Sequence, residues 1–177
     1  MRTQDSPLPA VQRLDHQQAD TARAVHALIE AAHHQESAWL GLPPSPSAVG
    51  DWTQVQRSGH VHLGIWSAAH EPGTPSSLIG VLAMAPDDEP DQLCVRVLAV
   101  HAAEQRRGVA RALLQDALGR WPGQVWAVTA AAAHHRALAL YRQAGFVPYR
   151  QGVMGPEALP MLKLRRAAEL TGTVGAA

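Results

Sequence analysis

Residues 93–118 read LCVRVLAVHAAEQRRGVARALLQDAL, and the order of their chemistry decides the fold. Leu93 to Val100 is rich in β-branched residues and nearly continuous in apolarity, the pattern of a central strand covered on both faces. After the turn HAAE, apolar residues return at 110, 113, 114, 117, 118 and 121, a helical stripe over Val109 to Trp121 that Pro122 and Gly123 stop. A strand that turns directly into a helix leaves the first N–H groups of that helix unpaired and aimed at one place, a ready-made site for a phosphate. Gly108 lets a ligand approach the backbone closely, and Ala110 keeps the first turn uncrowded. Arg106, Arg107 and Arg111 add positive charge, so a pyrophosphate is the natural guest. The glycine loop by itself is equally compatible with an ordinary strand-to-helix turn whose arginines face solvent. Two other phosphate sites are excluded by pattern, since neither G-x-G-x-x-G nor G-x-x-x-x-G-K-[ST] occurs.

On the C-terminal side, Gln124 to Ala130 reads as a second buried strand and His134 to Ala144 as a short helix with Ala137, Leu140, Tyr141 and Ala144 on one face. Gly145 follows at the position where a left-handed residue is cheap. Two more strands are expected at 146–150 and 159–164. On the N-terminal side a short strand at 10–14 runs into Asp15, whose spacing to Gln18 is that of a capping box. A helix over about 18–35 buries Ala22, Val25, Leu28, Ile29 and Ala32. The prolines of GLPPSPSAVG break it, and the reading places Trp39 to Leu42 in a loop. A second short helix at 51–57 precedes a hairpin of strands 60–69 and 78–85, joined by HEPGTPSS. PDDEPDQ then breaks the chain before the central strand. The expectation is an α/β fold with a mixed central sheet of about six to seven strands and about four helices. Residues 1–9 are expected to be a flexible segment, 10–166 one domain, and 167–177 a loose tail.

Two segments resemble the GNAT acyltransferase superfamily. QRRGVA fits its Q/R-x-x-G-x-G/A signature, and HHRALALYRQAGF looks like its second motif, N-x-x-A-x-x-L-Y followed by G-F, with Ala137, Leu140, Tyr141, Gly145 and Phe146 in place. The resemblance covers 93–150 by motif and the rest by element order. It implies central strands at 93–100 and 124–130 that splay apart around acetyl-CoA. Main-chain groups of Leu98, Ala99 and Val100 would hold the pantetheine arm, and those of Gln105, Arg106, Arg107, Gly108, Val109, Ala110 and Arg111 would cradle the pyrophosphate. Leu98 N–H would stabilise the oxyanion, and Tyr141 would protonate the departing thiolate. A tyrosine, with a pKa near 10, remains protonated at neutral pH. Ala137 and His134 would also border the cofactor. His134 stands where the family usually has Asn, and it lacks an amide's paired donor and acceptor.

No general base stands out. Asp91, just before the central strand, is one candidate, and His60 and His62, alternating along a strand, are two others. Trp39 and Leu40 fall where the family builds its acceptor pocket. Ten His include adjacent pairs at 33–34 and 134–135 that point different ways, and no metal-ligand spacing occurs, so no metal is expected. Cys94 reads as an inert core residue.

Composition bounds the remaining options. The 177 residues carry 15 Lys+Arg and 15 Asp+Glu, a balance without the positive field on which nucleic-acid coating relies. No apolar stretch approaches the roughly 20 residues needed to span a bilayer, so no membrane partner is expected. MRTQDSPLPA lacks the apolar core of a secretory signal, and a single Cys gives no disulfide framework, so a cytoplasmic location is expected. Within these bounds the resemblance to the GNAT superfamily implies an N-acetyltransferase that moves an acetyl group from acetyl-CoA to a primary amine on a small molecule or peptide. A non-catalytic acyl-CoA-binding or sensor domain is the alternative, and the C-terminal strands could pair in a homodimer.

Overall fold

The computed structural model describes residues 8–43, 50–67 and 76–169. Its elements follow the expected order: β1 (Gln12–Arg13), α1 (Ala19–Leu40), α2 (Trp52–Arg57), β2 (Val61–Trp66), β3 (Leu78–Pro86), β4 (Gln92–Val100), α3 (Val109–Arg120), β5 (Val125–Ala131), α4 (His135–Gln143), β6 (Val147–Met154) and β7 (Leu159–Arg166). A single 3-10 turn, Ala102–Glu104, links β4 to α3. The strands form one seven-stranded sheet in the order β1-β2-β3-β4-β5-β7-β6. All neighbours are antiparallel except β4 and β5. The hairpin connector and the proline loop fall mostly, and the terminal segments partly, outside the described residues.

Helices cover both faces. On one side α3 and α4 bury Val109, Leu113, Leu114, Leu138 and Tyr141 against Leu63, Leu82, Val95, Trp126 and Leu164. On the other, α1 and α2 bury Ala22, Val25, Leu28, Ile29 and Val55 against Leu14, Val81 and Ala99. This two-sided cover explains why Leu93 to Val100 shows so little polar alternation. No described helix is long and apolar enough to cross a membrane.

Several expected boundaries move. The helix placed at 18–35 continues to Leu40, so Trp39 and Leu40 lie on its last turn and not in a loop. Proline at 43 and beyond does not stop α1; Gly41 does, with φ 68°. Its N–H donates to Ala38 O, and Leu42 N–H donates to Ser37 O at 2.9 Å, closing the helix with a left-handed residue. Asp15 and Gln18 do meet, Gln18 Nε2 donating to Asp15 Oδ2 at 3.3 Å. The N-cap, however, is Gln18 itself, and Asp15 organises the preceding turn. The strand expected at 10–14 is confined to Gln12–Arg13, and the one expected from 60 begins at Val61. The sixth strand runs to Met154 rather than 150 because its pairing with β7 continues through Gly152 to Met154↔Leu159.

Candidate active site

β4 and β5 pair only from Gln92↔Val125 to Val95↔Val128. Beyond that point β4 continues to Val100 and β5 to Ala131, each held on its outer edge alone: Leu98, Ala99 and Val100 by β3, Thr129 to Ala131 by β7. The register between β3 and β4 slips at the same level, Ala83 facing Val97 but Met84 facing Val95, which makes Arg96 an extra residue in β4. A bulge bends a strand and increases its twist, so β4 turns away from β5 where the pairing ends. The result is a gap between the C-terminal ends of two parallel strands, each of which leads into a helix. Main-chain groups along the inner edge of Leu98 to Val100 have no partner strand there.

The loop above β4 is held by its own hydrogen bonds and by two left-handed residues. His101 Nδ1 accepts from Ala103 N–H and holds the 3-10 turn. Arg106 has φ 64° and Gly108 φ 89°, two left-handed residues that curl the backbone so that successive N–H groups face inward. Gly108 is the N-cap of α3 and supplies no side-chain cap, so the first N–H groups of the helix remain available to an anion. Among the described residues, only Leu8 Cδ1, at 3.7 Å, lies near where a Cβ on Gly108 would stand. Gln105 Nε2 donates to Gln35 Oε1 at 2.6 Å and ties the loop to α1. Of the arginines, Arg107 pairs with Glu104 at 2.6 Å, Arg111 Nη2 donates to Gln143 Oε1 at 2.9 Å, and Arg106 is exposed. Val109 is buried under the loop and Ala110 half-buried.

Tyr141 enters from the α4 side and is 6% exposed, its ring edge-on to Phe146 at 5.7 Å. Burial pushes its hydroxyl well above the ordinary phenol range, and the nearby Glu36 and Cys94 add to this. The group therefore stays protonated at any working pH. Cys94 is buried, and burial raises its thiol, so it remains a neutral thiol.

The base candidates are set apart from the gap. Asp91 is exposed, with φ 59°, in the turn before β4, beyond the paired end of the strand. His62 is in register with Ala83, which is in register with Val97. It thus stands two strands from β4, roughly 10 Å at the usual strand spacing. It is 2% exposed, and burial, with His16 and His60 nearby, lowers its pKa to about 4. His16, His60 and His62 stack, with centroids 4.4 Å and 6.1 Å apart, and the His60 pKa is also lowered, chiefly by burial. Among the described residues, no group of three or more His, Cys, Asp or Glu is arranged to hold a metal ion.

His134 turns back onto its own helix: its Nδ1 accepts from Ala137 N–H at 3.2 Å, capping α4. Its Nε2 lies 3.8 Å from Glu36 Oε1, and its ring stands edge-on to Trp39. Glu36, Trp39, Leu40, His134 and Arg136 line a hollow of about 250 Å³ where the end of α1 meets the start of α4. The expected acceptor residues Trp39 and Leu40 thus face one cavity. Sequence reasoning misses Glu36, although a signal for it exists. A carboxylate near the C-terminal end of a helix opposes the helix dipole, and α1 has no basic residue in its last turn to compensate.

Residues 62–148 match the model of the acetyltransferase (GNAT) domain family, and the chain carries a GNAT acetyltransferase domain. No curated protein matches the sequence. Among solved structures, the ribosomal-protein-S18-alanine N-acetyltransferase of Escherichia coli is similar at 15% identity over 95% of this chain and 99% of its own, with a TM-score of 0.67. A histone acetyltransferase HPA2 and related acetyltransferase of Corynebacterium glutamicum is similar at 18% identity over 95% of this chain and 100% of its own, with a TM-score of 0.69. A point mutant of the spermidine N-acetyltransferase of Vibrio cholerae is similar at 14% identity over 90% of this chain and 95% of its own, with a TM-score of 0.63. These likenesses are of fold: a mixed seven-stranded sheet with four helices. The family match supports an acyltransferase.

Proposed function

We propose that the chain is an acetyl-CoA-dependent N-acetyltransferase acting on a primary amine of a small molecule or peptide in the cytoplasm. The observation that carries this reading is the gap where β4 and β5 stop pairing; an uncapped helix start after β4 and the buried tyrosine of α4 support it. The pyrophosphate of acetyl-CoA would rest on the N–H groups of the Gln105–Arg111 loop. The pantetheine would run along Leu98, Ala99 and Val100 as an added strand, with Ala137 at its side. A neutral amine attacks the thioester carbonyl, forming the C–N bond, and the N–H of Leu98 stabilises the oxyanion. As the C–S bond breaks, Tyr141 donates a hydrogen bond and then its proton to the sulfur, where charge accumulates. The proton that the new amide nitrogen releases restores the phenol. The products are the amide and CoA thiol.

Tyr141→Phe tests the reading. The ring keeps its packing on Phe146, so acetyl-CoA affinity is expected to hold while amine-dependent CoA release falls by about 100-fold, the scale of lost acid catalysis. An unchanged rate would remove Tyr141 from the chemistry, and a wild type that binds acetyl-CoA yet acetylates no amine would favour a sensor domain.

A further inference from the structure

We infer that Glu36, in the hollow beside His134, is the carboxylate that receives the acceptor's ammonium group and takes its proton before attack. The inference rests on the N-acetyltransferase reading and adds the base which that reading lacks.

The hydrogen-bonding of His134 fixes its tautomer. Because Nδ1 accepts the Ala137 N–H, its lone pair is committed to the helix cap. The neutral ring must then carry its proton on Nε2, which lies 3.8 Å from Glu36 Oε1. At that distance His134 makes no hydrogen bond to the carboxylate, and Glu36 lines the hollow beside it. Glu36 is the only carboxylate among the described residues lining that hollow. Arg136, a cation lining the same hollow, lies over the Trp39 ring at 5.1 Å, where the aromatic face attracts it. Trp39 is 49% exposed, so its edge is open to an incoming alkyl chain. Glu36 also acts electrostatically on Tyr141, which approaches the gap from the other face of the sheet.

The proton balance is simple. R–NH3⁺ and the Glu36 carboxylate become R–NH2 and the carboxylic acid, which returns its proton to water after the acetyl group has moved. The requirement is an acceptor that arrives as a protonated primary amine.

The test uses n-butylammonium as a probe of charge and n-butanol as its neutral counterpart, followed by the Trp39 indole N–H signal in ¹H–¹⁵N spectra of the full chain, with and without CoA. Trp39→Phe assigns the signal. The wild type should show a saturable shift with n-butylammonium. Glu36→Gln, which keeps the side chain's size at a half-exposed site, should weaken it about tenfold or more, the loss expected for a hydrogen bond to a charged group. Butanol should give no comparable shift. The inference is overturned if the wild type shows no saturable shift, if Glu36→Gln titrates like the wild type, or if butanol binds as well. Calorimetry with acetyl-CoA on the same proteins keeps the two readings apart. Loss of cofactor binding in the wild type contradicts the acetyltransferase reading, while equal cofactor binding by wild type and Glu36→Gln confines any difference to the acceptor side.

Discussion

Gln105 Nε2 stands 2.6 Å from Gln35 Oε1, a direct link between the loop at the head of α3 and the helix on the opposite face of the sheet. The same amide nitrogen also approaches Val100 O at 3.5 Å, so one side chain pins the loop to both α1 and the end of β4. A curled loop with two left-handed residues has few ways to hold its shape alone, and this tether supplies one. Gln105→Ala is therefore expected to weaken acetyl-CoA binding about 3- to 10-fold, in line with about 1 kcal/mol for a lost hydrogen bond, with little change in melting temperature. Calorimetric titration checks it, and Gln35→Ala should reproduce the effect from the other side.

The histidine stack on β2 makes stability depend on pH. His62 has its folded pKa lowered to about 4 from an ordinary 6.5, chiefly by burial, so the unfolded chain binds a proton that the folded chain refuses. Stability is unaffected above about 6.5, falls as pH drops from there to about 4, and loses nothing more from this group below that. The full loss is on the order of 3 kcal/mol. Urea unfolding at pH 7 and pH 4.5 measures it, and His62→Gln should flatten the difference. Glu89 acts in a lower window. Hydrogen bonds from Tyr149 and Lys163 hold its pKa at about 2, so its contribution is present above about 4.5 and is lost as pH falls toward 2.

Lys163, the only lysine in the chain, closes a network beneath the β3–β4 hairpin. Its Nζ lies 2.7 Å from Asp87 Oδ2 and 3.1 Å from Glu89 Oε1. The Asp87 side chain is 3% exposed, so Lys163→Met would leave a buried carboxylate without its counter-charge. The expected cost is about 3–5 kcal/mol, and adding Asp87→Leu should recover most of it, since a buried ion pair can be replaced by apolar packing at little net cost. Equilibrium unfolding of the single and double variants decides this.

Much of the fold is legible in the sequence because period and breakers agree along most of it. The apolar run of β4, the stripe at 113, 114, 117 and 118, and the stops at Pro122 and Gly123 all point the same way, and the elements appear in the expected order. The end of α1 is misread because prolines are louder than a single glycine. Chain continuity permits a helix to run up to Gly41, and Gly41, two residues before the first of those prolines, is what ends it. The insertion of β7 between β5 and β6 is a long-range pairing that no local pattern records. At the candidate site, the loop is expected from the strand, turn and helix of one segment, and Tyr141 from the resemblance of its helix to the GNAT family's second motif. Glu36 is not, because its partners His134 and Tyr141 lie about a hundred residues away in the chain. His62 lies in β2 and His60 just before it, their rings near each other as their alternation implies, but His62 packs on His16 and not on the gap.

The most direct test of an acetyl-CoA site at the α3 loop is calorimetric titration of acetyl-CoA into wild type, Gly108→Ala and Gly108→Glu. At φ 89° any side chain strains the backbone, by about 1–3 kcal/mol, but the space around it is open, so both variants should fold and share the same strain. Only the glutamate adds a negative charge where the pyrophosphate would lie. The expected result is micromolar binding by wild type, binding within about tenfold of that by Gly108→Ala, and none measurable by Gly108→Glu with an unchanged circular dichroism spectrum. Absence of binding by the wild type, or equal binding by the alanine and glutamate variants, would contradict the site.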